Sequence, residues 1–358
     1  MADKSNTQGF LVRVDCMTFN QADYIKDAMD GFGMQQTDFP FLCVITDDAS
    51  TDGEPEVIKN YLAEHFDREA LDLPMPDETE EYVRVFARHK ENKNCYFLVM
   101  FLKYNHYSLG QAKYRSIADF IRPIPYIALC EGDDYWTDPM KLQKQVDFME
   151  EHKDCSMTCS RVSLFSESKH HLVGETGCYI GSQVMNPADI IEQGGMFIST
   201  CSIVYKHEIQ KNYPDYCRKC HVGDYPLQIM AAMKGMVFYF NDNMAVYRVD
   251  NPMSWIGKLS SRHTDGKYIE GVKSEIRMLL GYSKDYPEYT NSFEKRVKLF
   301  VLSNLPDKKK HKDLYKEYKS MLKKDIRQLG WKNRMIVFLI MSRFQNLYFS
   351  YKKLKKRI

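Results

Sequence analysis

Short apolar runs alternate with amphipathic segments of helical spacing through the first 150 residues, and this alternation restricts the fold more than any other feature. Strands are predicted at 10–14, 41–45, 82–87 and 126–130. Helices are predicted after the first and second strands and over roughly 110–122, before the fourth. Alternation of this kind predicts an α/β fold with a Rossmann-like, doubly wound, mostly parallel sheet, whose ligands bind at the carboxyl ends of the strands.

Capping residues and later apolar patterns extend the prediction along the chain. Asn20 is a candidate N-cap for a helix whose apolar face is Tyr24, Ile25, Ala28, Met29 and Phe32. Asp138 and Pro139 are candidates for the N-cap and first position of a helix with an inward face of Leu142, Val146 and Met149. Further elements are predicted as strands at 156–163, 198–205 and 236–240, helices near 187–193 and 225–234, and helical chain from about 262 onward.

Acidic residues directly follow two of the predicted strands. Asp47 and Asp48 end the second strand, and Glu131, Asp133 and Asp134 follow the fourth. One explanation is ordinary turn and helix-capping chemistry, because the neighbouring glycines and the stretch "DDASTDG" are common turn signals. The other is that a divalent metal, with the diphosphate it carries, holds these mutually repelling carboxylates together. Their position at strand ends favours a binding site.

Ten cysteines are spread along the chain, several of them inside apolar runs. This distribution, and the absence of an apolar h-region in "MADKSNTQGF", predict reduced thiols in a cytoplasmic protein rather than a disulfide framework. The stretch "CRKCH" (217–221) matches the pattern for covalent haem attachment, which would make the chain an electron carrier. A chance pair of thiols in a surface loop is the simpler interpretation, because no export signal accompanies the stretch and no second ligand pair would complete a zinc site.

Four stretches in order carry a resemblance to a known family: "MTFNQADYI", "DDASTDG", "NHYSLGQAKYRSIA" and "EGDDYWTDPMKLQKQVDFM". From roughly 12 to 247 the chain resembles the family 2 glycosyltransferases of the GT-A fold, of the type that builds bacterial surface glycans. The resemblance implies an inverting transfer of sugar from a nucleoside-diphosphate donor to a hydroxyl of a glycan or lipid-linked acceptor. It also implies assistance by Mg²⁺ or Mn²⁺.

The resemblance assigns the donor site residue by residue. "EGDD" stands where the family keeps its metal motif, with Glu131 in place of the usual first aspartate and Asp133 and Asp134 at the ion and the ribose or diphosphate. The donor-binding residues that it implies are Thr18, Phe19, Asn20, Asp47, Asp48, Glu131, Asp133 and Arg248. UDP is the default donor nucleotide, because the carboxylate of Asp48 suits a uracil imide.

An inverting transfer needs one general base for the acceptor hydroxyl. The family resemblance implies Asp224, ahead of an apolar helix face, with Ser199 and Thr200 on the acceptor-side strand. The alternative for Asp224 is an ordinary helix cap, and His221 is the second candidate for the base. A departure from the family occurs at Asp250, where a histidine is common.

The C-terminal part of the chain is strongly basic. Residues 306–358 carry 17 Lys and Arg against 4 Asp and Glu. We expect a transferase domain at 1–255, a helical extension at 256–330 and a basic amphipathic segment at 331–358. That segment could lie on an anionic membrane surface, on the inner face of the cell membrane, or pack back on the protein. No motif favours nucleic acid as the partner.

Two classes of function remain open on the sequence. The first is a metal-dependent glycosyltransferase. The second is a catalytically inactive nucleotide-binding or membrane-docking protein on the same scaffold, which the departures at Glu131 and Asp250 keep under consideration.

Overall fold

The computed structural model describes residues 9–68, 77–110, 124–251, 266–304, 315–316, 319–320, 327 and 329–335. The predicted helix at 110–122 and the predicted segment at 331–358 lie almost entirely outside these residues. The chain divides into two compact units. The first unit comprises Met1–Met185, Met196–Asn212 and Met230–Ser254, and the second comprises Asn186–Gly195, Tyr213–Ile229 and Trp255–Ile358. The predicted boundaries at 255 and 330 stay predictions.

A single mixed sheet runs through the first unit. Its strands are β1 (Val12–Thr18), β2 (Phe41–Asp47), β3 (Phe66–Arg68), β4 (Tyr82–His89), β5 (Cys95–Leu102), β6 (Tyr126–Leu129), β7 (Tyr135–Trp136), β8 (Cys155–Ser166), β9 (His171–Thr176), β10 (Gln183–Val184), β11 (Val204–Lys206) and β12 (Met236–Val249). The strand order is β10-β12-β8-β11-β6-β1-β2-β5-β4-β3, with β7 on β12 and β9 on β8. Because β6, β1, β2 and β5 are mutually parallel, the predicted α/β class with a parallel central sheet is confirmed.

Three helices of the first unit cover or flank this sheet: α1 (Ile25–Gly33), α2 (Glu54–His65) and α3 (Lys141–Glu151). The predicted apolar face of α1 is buried at Ile25, Ala28, Met29 and Phe32, where it joins the core formed by β1, β2 and β5. Gly31 permits close packing, since a Cβ there would lie 2.9 Å from the backbone nitrogen of Trp136.

Two predicted helix caps are wrong. Helix α1 begins after Tyr24, and the side chain of Asn20 instead accepts a hydrogen bond from the backbone N–H of Thr51 at 2.8 Å. Helix α3 begins after Met140, whose backbone N–H donates to the Asp138 carboxylate at 2.8 Å, so Asp138 holds the turn before the helix. Short polar side chains bind backbone groups in turns as readily as at helix ends, which explains both errors.

Strand β5, "CYFLVMFL", was not predicted, although all eight of its residues are buried. The predicted strand at 198–205 is instead a 3₁₀ turn, Thr200–Ser202, followed by the short strand β11. The extended backbone of this segment ends at Ser199, whose backbone oxygen accepts a hydrogen bond from the N–H of Ser202 and so begins the 3₁₀ turn.

The described part of the second unit is helical: α4 (Pro187–Gln193), α5 (Asp215–Arg218), the start of α6 (Asp224–Lys234), α7 (Gly266–Asp285) and α8 (Thr290–Ser303). Helices α7 and α8 pack together through buried side chains that include Ile276, Leu279, Phe293 and Val297. Helix α4 lies against α8, where the carboxylate of Glu192 accepts a hydrogen bond from the Ser292 hydroxyl at 2.9 Å. Within the described residues, no helix has the length and apolarity needed to cross a bilayer.

Candidate functional site

Three neighbouring parallel strands, β6, β1 and β2, end side by side, so the segments that follow them meet. The backbone N–H of Asp48 donates to the Thr18 carbonyl at 3.0 Å, and that of Gly132 donates to the Met17 carbonyl at 3.0 Å. A Cβ on Gly132 would lie 2.5 Å from both the Thr18 hydroxyl and the Gln21 side-chain oxygen. The structure therefore brings the "TFN", "DDASTDG" and "EGDD" segments together at one edge of the sheet.

Glu54 ties two of these segments together, and sequence reasoning did not identify it. Its carboxylate is fully buried and accepts hydrogen bonds from the Thr18 hydroxyl, the Ser50 hydroxyl at 2.8 Å and the backbone N–H of Gln21 at 2.9 Å. The Ser50 hydroxyl in turn accepts the backbone N–H of Asn20 at 2.8 Å. Burial raises the pKa of Glu54, although the hydrogen bonds oppose that shift. The loop after β1 is thereby fixed to the turn after β2.

The two aspartates after β2 have different partners. Asp47 accepts the backbone N–H of Ser50 at 3.1 Å, and burial raises its pKa. Asp48 is fully buried, and its carboxylate oxygens accept the backbone N–H groups of His106 at 2.8 Å and Tyr107 at 3.2 Å. Asp48 thus fixes the segment that follows β5. Its role as a hydrogen-bond acceptor for a nucleobase stays a prediction.

Left-handed backbone conformations concentrate in the predicted site segments. Among the described residues, five non-glycine positions have positive φ, and three of them lie there: Asn20 (55°), Ala49 (62°) and Asp250 (61°). Side chains with a Cβ adopt this region at an energetic cost, and such strain tends to cluster at functional sites. Thr18 is buried, whereas Phe19 and Asn20 are partly exposed and so accessible to a ligand.

The acidic motif presents its three carboxylates differently. Glu131 is exposed, Asp133 is half-buried, and Asp134 is buried with its Oδ1 accepting the backbone N–H of Arg248 at 2.9 Å. Burial raises the pKa of Asp133 and raises that of Asp134 strongly, and the negative charge of Asp133 adds to the second shift. A bound cation would relieve this accumulation of negative charge.

The carboxylates of the acidic motif fit a metal ion that binds together with a phosphate ligand, rather than an ion held by protein side chains alone. No group of three or more His, Cys, Asp or Glu side chains able to hold an ion occurs among the described residues. Asp133 and Asp134 supply hard carboxylate oxygens, and Mg²⁺ is commonly bound by one or two carboxylates together with phosphate oxygens and water. The two aspartates therefore fit Mg²⁺ or Mn²⁺ only when a diphosphate completes the coordination.

Arg248, predicted near the phosphates, is buried against protein groups. Its Nη1 donates to the Asp133 carbonyl at 2.7 Å, and its Nε lies 2.8 Å from Oε1 of Glu167 in an ion pair without hydrogen-bond alignment. Its Nη2 donates to the carboxylate of Asp27, and the guanidinium lies 5.0 and 4.7 Å from the ring centroids of Tyr24 and Tyr135. Each of the three guanidinium nitrogens thus faces a group of its own chain.

Asp224, the predicted base, is the first residue of α6 in the second unit and is half-buried. Its Oδ1 accepts the backbone N–H of the next residue, Tyr225, at 2.8 Å. His221 lies nearby in sequence, with its Nδ1 3.0 Å from the Ser274 hydroxyl, and burial lowers its pKa. His221 is therefore held on the loop that leads into α6, and Asp224 at the first residue of that helix.

The "CRKCH" cysteines are free thiols, as are the other eight. Cys217 is buried, and its Sγ lies 3.1 Å from the Tyr282 hydroxyl, so the expected surface position is wrong for this residue. Burial raises the pKa of Cys217 to about 12, which keeps the thiol protonated at neutral pH. A packed thiol of this kind explains Cys217 as part of the helical core.

Sequence comparison finds relatives that match part of the chain. No family model matches the chain. Uncharacterized proteins of Mycobacterium bovis and Mycobacterium tuberculosis are 30% identical to it over 233 residues, which is 65% of this chain and 57% of theirs. The chain thus spans little more than half the length of the curated relatives it matches.

A solved structure resembles nearly the whole chain. Residues 1–349 of TarS from S. aureus, solved in complex with UDP, superimpose with a TM-score of 0.55 at 13% identity, covering 96% of this chain and 91% of that one. At this level of identity the likeness concerns the fold. It confirms the predicted GT-A-like arrangement, a mixed α/β sheet with parallel strands at its centre.

Proposed function

We propose that this chain is a glycosyltransferase that takes a sugar from a nucleoside-diphosphate donor. The observation that carries the proposal is the meeting of three predicted donor-site segments at the carboxyl ends of β6, β1 and β2. Ligands of doubly wound α/β sheets bind at this edge. The likeness to TarS, whose structure holds UDP, supports the same nucleotide class, and UDP is our first choice for the donor.

The donor would be held by groups already fixed in place. Phe19 and Asn20 are partly exposed on a loop that Glu54 anchors, so they suit contact with the nucleoside. Thr18, Asp47 and Asp48 would line or support that pocket, and Glu131 and Asp133 lie at its acidic side. Pre-organised loops of this kind reduce the entropy lost when a ligand binds.

A divalent metal held by Asp133 and Asp134 would offset the negative charge that develops on the leaving nucleoside diphosphate. Asp224 would accept the proton of the acceptor hydroxyl as that oxygen attacks the anomeric carbon, which inverts the configuration. Its hydrogen bond with the Tyr225 N–H fixes one carboxylate oxygen and orients the other. Membership of family 2 and an acceptor that is a glycan or a lipid-linked sugar belong to the same proposal.

The place of action follows from the acceptor. A lipid-linked acceptor would bring the enzyme to the inner face of the cell membrane, and the basic segment at 331–358 would bind an anionic surface there. Eight Lys and Arg residues and no acidic residue occur in this segment. Each basic residue contributes about 1 kcal/mol at such a surface.

Nucleotide release from a sugar donor tests the proposal. The purified chain is incubated with Mn²⁺ and UDP-N-acetylglucosamine, UDP-glucose or GDP-mannose. Release of UDP or GDP is measured as the sugar is transferred to water, which serves as the acceptor. Because Asp224 would remove the proton of the attacking oxygen, Asp224→Asn should lower release by about 10²–10⁴-fold while leaving the dissociation constant of the donor unchanged.

Asp215→Asn is the matched control, since Asp215 is also the first residue of a helix in the second unit but is exposed. It should retain full release. Release that is equally fast in Asp224→Asn would remove Asp224 as the base. Donor binding without any release by the unmodified chain would favour the catalytically inactive nucleotide-binding protein.

A further inference from the structure

Arg248 joins four elements of the first unit at the acidic motif. Its guanidinium contacts Asp27 on α1, Glu167 after β8 and the Asp133 carbonyl in the turn before β7. The rings of Tyr24 and Tyr135 lie on it as cation–π partners. The side chain is 6% exposed, so these contacts replace its hydration almost completely.

The backbone of Arg248 holds the other half of the motif. Its N–H donates to Oδ1 of Asp134, while its side chain binds the carbonyl of Asp133. Strand β12, which carries Arg248, also pairs with β7 just after the motif, at Ala245 with Trp136 and Val246 with Tyr135. One residue thereby fixes both aspartates relative to the sheet.

The partners of the guanidinium are themselves held in place. The backbone N–H of Glu167 donates to the Val249 carbonyl at 3.1 Å, which ties the end of β8 to the end of β12. Glu167 is also mostly buried, with its side chain 15% exposed. For Arg248 to bind a diphosphate directly, it would have to leave the carboxylate of Asp27 and leave the mostly buried Glu167 without its cation. Leaving a buried carboxylate unpaired is strongly unfavourable.

We propose that Arg248 is a positioning residue that orients Asp133 and Asp134 toward the metal, rather than a ligand of the donor diphosphate. The inference rests on the proposed function, because the metal and diphosphate belong to it. Groups that orient metal ligands in this way commonly change metal affinity by 10–100-fold when they are removed. Arginine suits the role because its planar fork reaches several acceptors at once, whereas lysine offers a single ammonium group.

The test measures metal and nucleotide binding separately. The unmodified chain is titrated with UDP, GDP and dTDP in the presence of Mn²⁺ and of EDTA, and the tightest of the three is used for the variants Arg248→Lys and Glu167→Gln. Mn²⁺ affinity at saturating nucleotide is followed by electron paramagnetic resonance. We expect Arg248→Lys to weaken Mn²⁺ binding about 10-fold or more while nucleotide binding in EDTA is unchanged.

Glu167→Gln separates positioning from direct binding because the two roles predict changes in different quantities, the Mn²⁺ affinity in one case and the nucleotide affinity in EDTA in the other. If Arg248 positions the motif, loosening it should weaken Mn²⁺ binding in the same direction as Arg248→Lys. If Arg248 binds the diphosphate, freeing it from Glu167 should tighten nucleotide binding in EDTA, and Arg248→Lys should weaken it. The second pair of results would overturn the inference and leave the donor site intact.

Arg13→Lys is the matched control. Arg13 is also buried in the first unit and forms a two-point ion pair with Asp15, at 2.6 and 2.8 Å, on β1. It should leave Mn²⁺ affinity unchanged. Equal loss of Mn²⁺ affinity in Arg13→Lys would show a general loss of packing and overturn the inference. A folded, unmodified chain that binds none of the three nucleotides would overturn the proposed function itself.

Discussion

Single residues in the candidate site hold conformations that the chain adopts at a cost. Ala49 has φ of 62° between the buried Asp48 and the turn that Ser50 closes on Asp47. The left-handed region brings a Cβ close to the following carbonyl oxygen, which costs roughly 1–2 kcal/mol for residues other than glycine. Hydrogen bonds from His106 and Tyr107 to Asp48 keep the turn in this conformation. The strain is thus balanced by fixed partners around it.

Ala49→Gly should therefore stabilise the protein, by about 1 kcal/mol, because glycine adopts this conformation without the Cβ conflict. Unfolding in urea followed by circular dichroism measures the change. Ala63→Gly is the control, since Ala63 is exposed within the right-handed helix α2, where the same change should destabilise by about 1 kcal/mol. Equal destabilisation by both substitutions would show that Ala49 is not strained.

Among whole elements, the packing of α7 on α8 buries a carboxylate near a guanidinium. Glu275 on α7 is 6% exposed, and its Oε1 lies 3.8 Å from Nη2 of Arg296 on α8. Burial raises the pKa of Glu275 to about 7, with Arg296 opposing the shift and the negative charge of Asp224 adding to it. At this separation the arginine does not fully compensate the lost hydration of the carboxylate.

The stability of the protein should consequently fall between about pH 4.5 and pH 7. Since the pKa of Glu275 is higher in the folded than in the unfolded state, the folded state binds more protons across this window, and its free energy of unfolding decreases as pH rises. The expected loss is up to about 3 kcal/mol. Urea unfolding of wild type and Glu275→Gln at pH 5 and pH 8 measures it, and an equal pH dependence in both proteins would contradict the assignment.

The elements at the site edge were largely predictable, whereas their tertiary partners were not. Apolar runs that end in acidic residues predicted β2 and β6. The rule that ligands of such sheets bind at the carboxyl ends of the strands predicted the edge at which the site lies. Strand β5 was not predicted because eight successive buried residues show neither helical nor alternating periodicity. The role of Glu54 was not predicted because an acidic residue in the first turn of a helix is common. Arg248 could be placed near the motif, but its contacts with Asp27 and Glu167 join distant parts of the chain and leave no local signal.

At the scale of the whole molecule, the candidate site residues are divided between the two units. The described strands that carry the acidic motif lie in the first unit, and Asp224 lies in the second. The basic C-terminal segment forms the last part of the second unit in the sequence. The relatives are longer than this chain, which matches little more than half of their length. The proposed function therefore depends most on whether the edge of β6, β1 and β2 binds a nucleotide.

Nucleotide binding by calorimetry tests that claim most directly. The wild-type chain and the double variant Asp133→Ala/Asp134→Ala are titrated with UDP, GDP and dTDP, each with Mn²⁺ and with EDTA. We predict that wild type binds one nucleotide in a Mn²⁺-dependent way and that the double variant loses this dependence while staying folded. A well-folded wild-type protein that binds no nucleotide, with or without Mn²⁺, would contradict it.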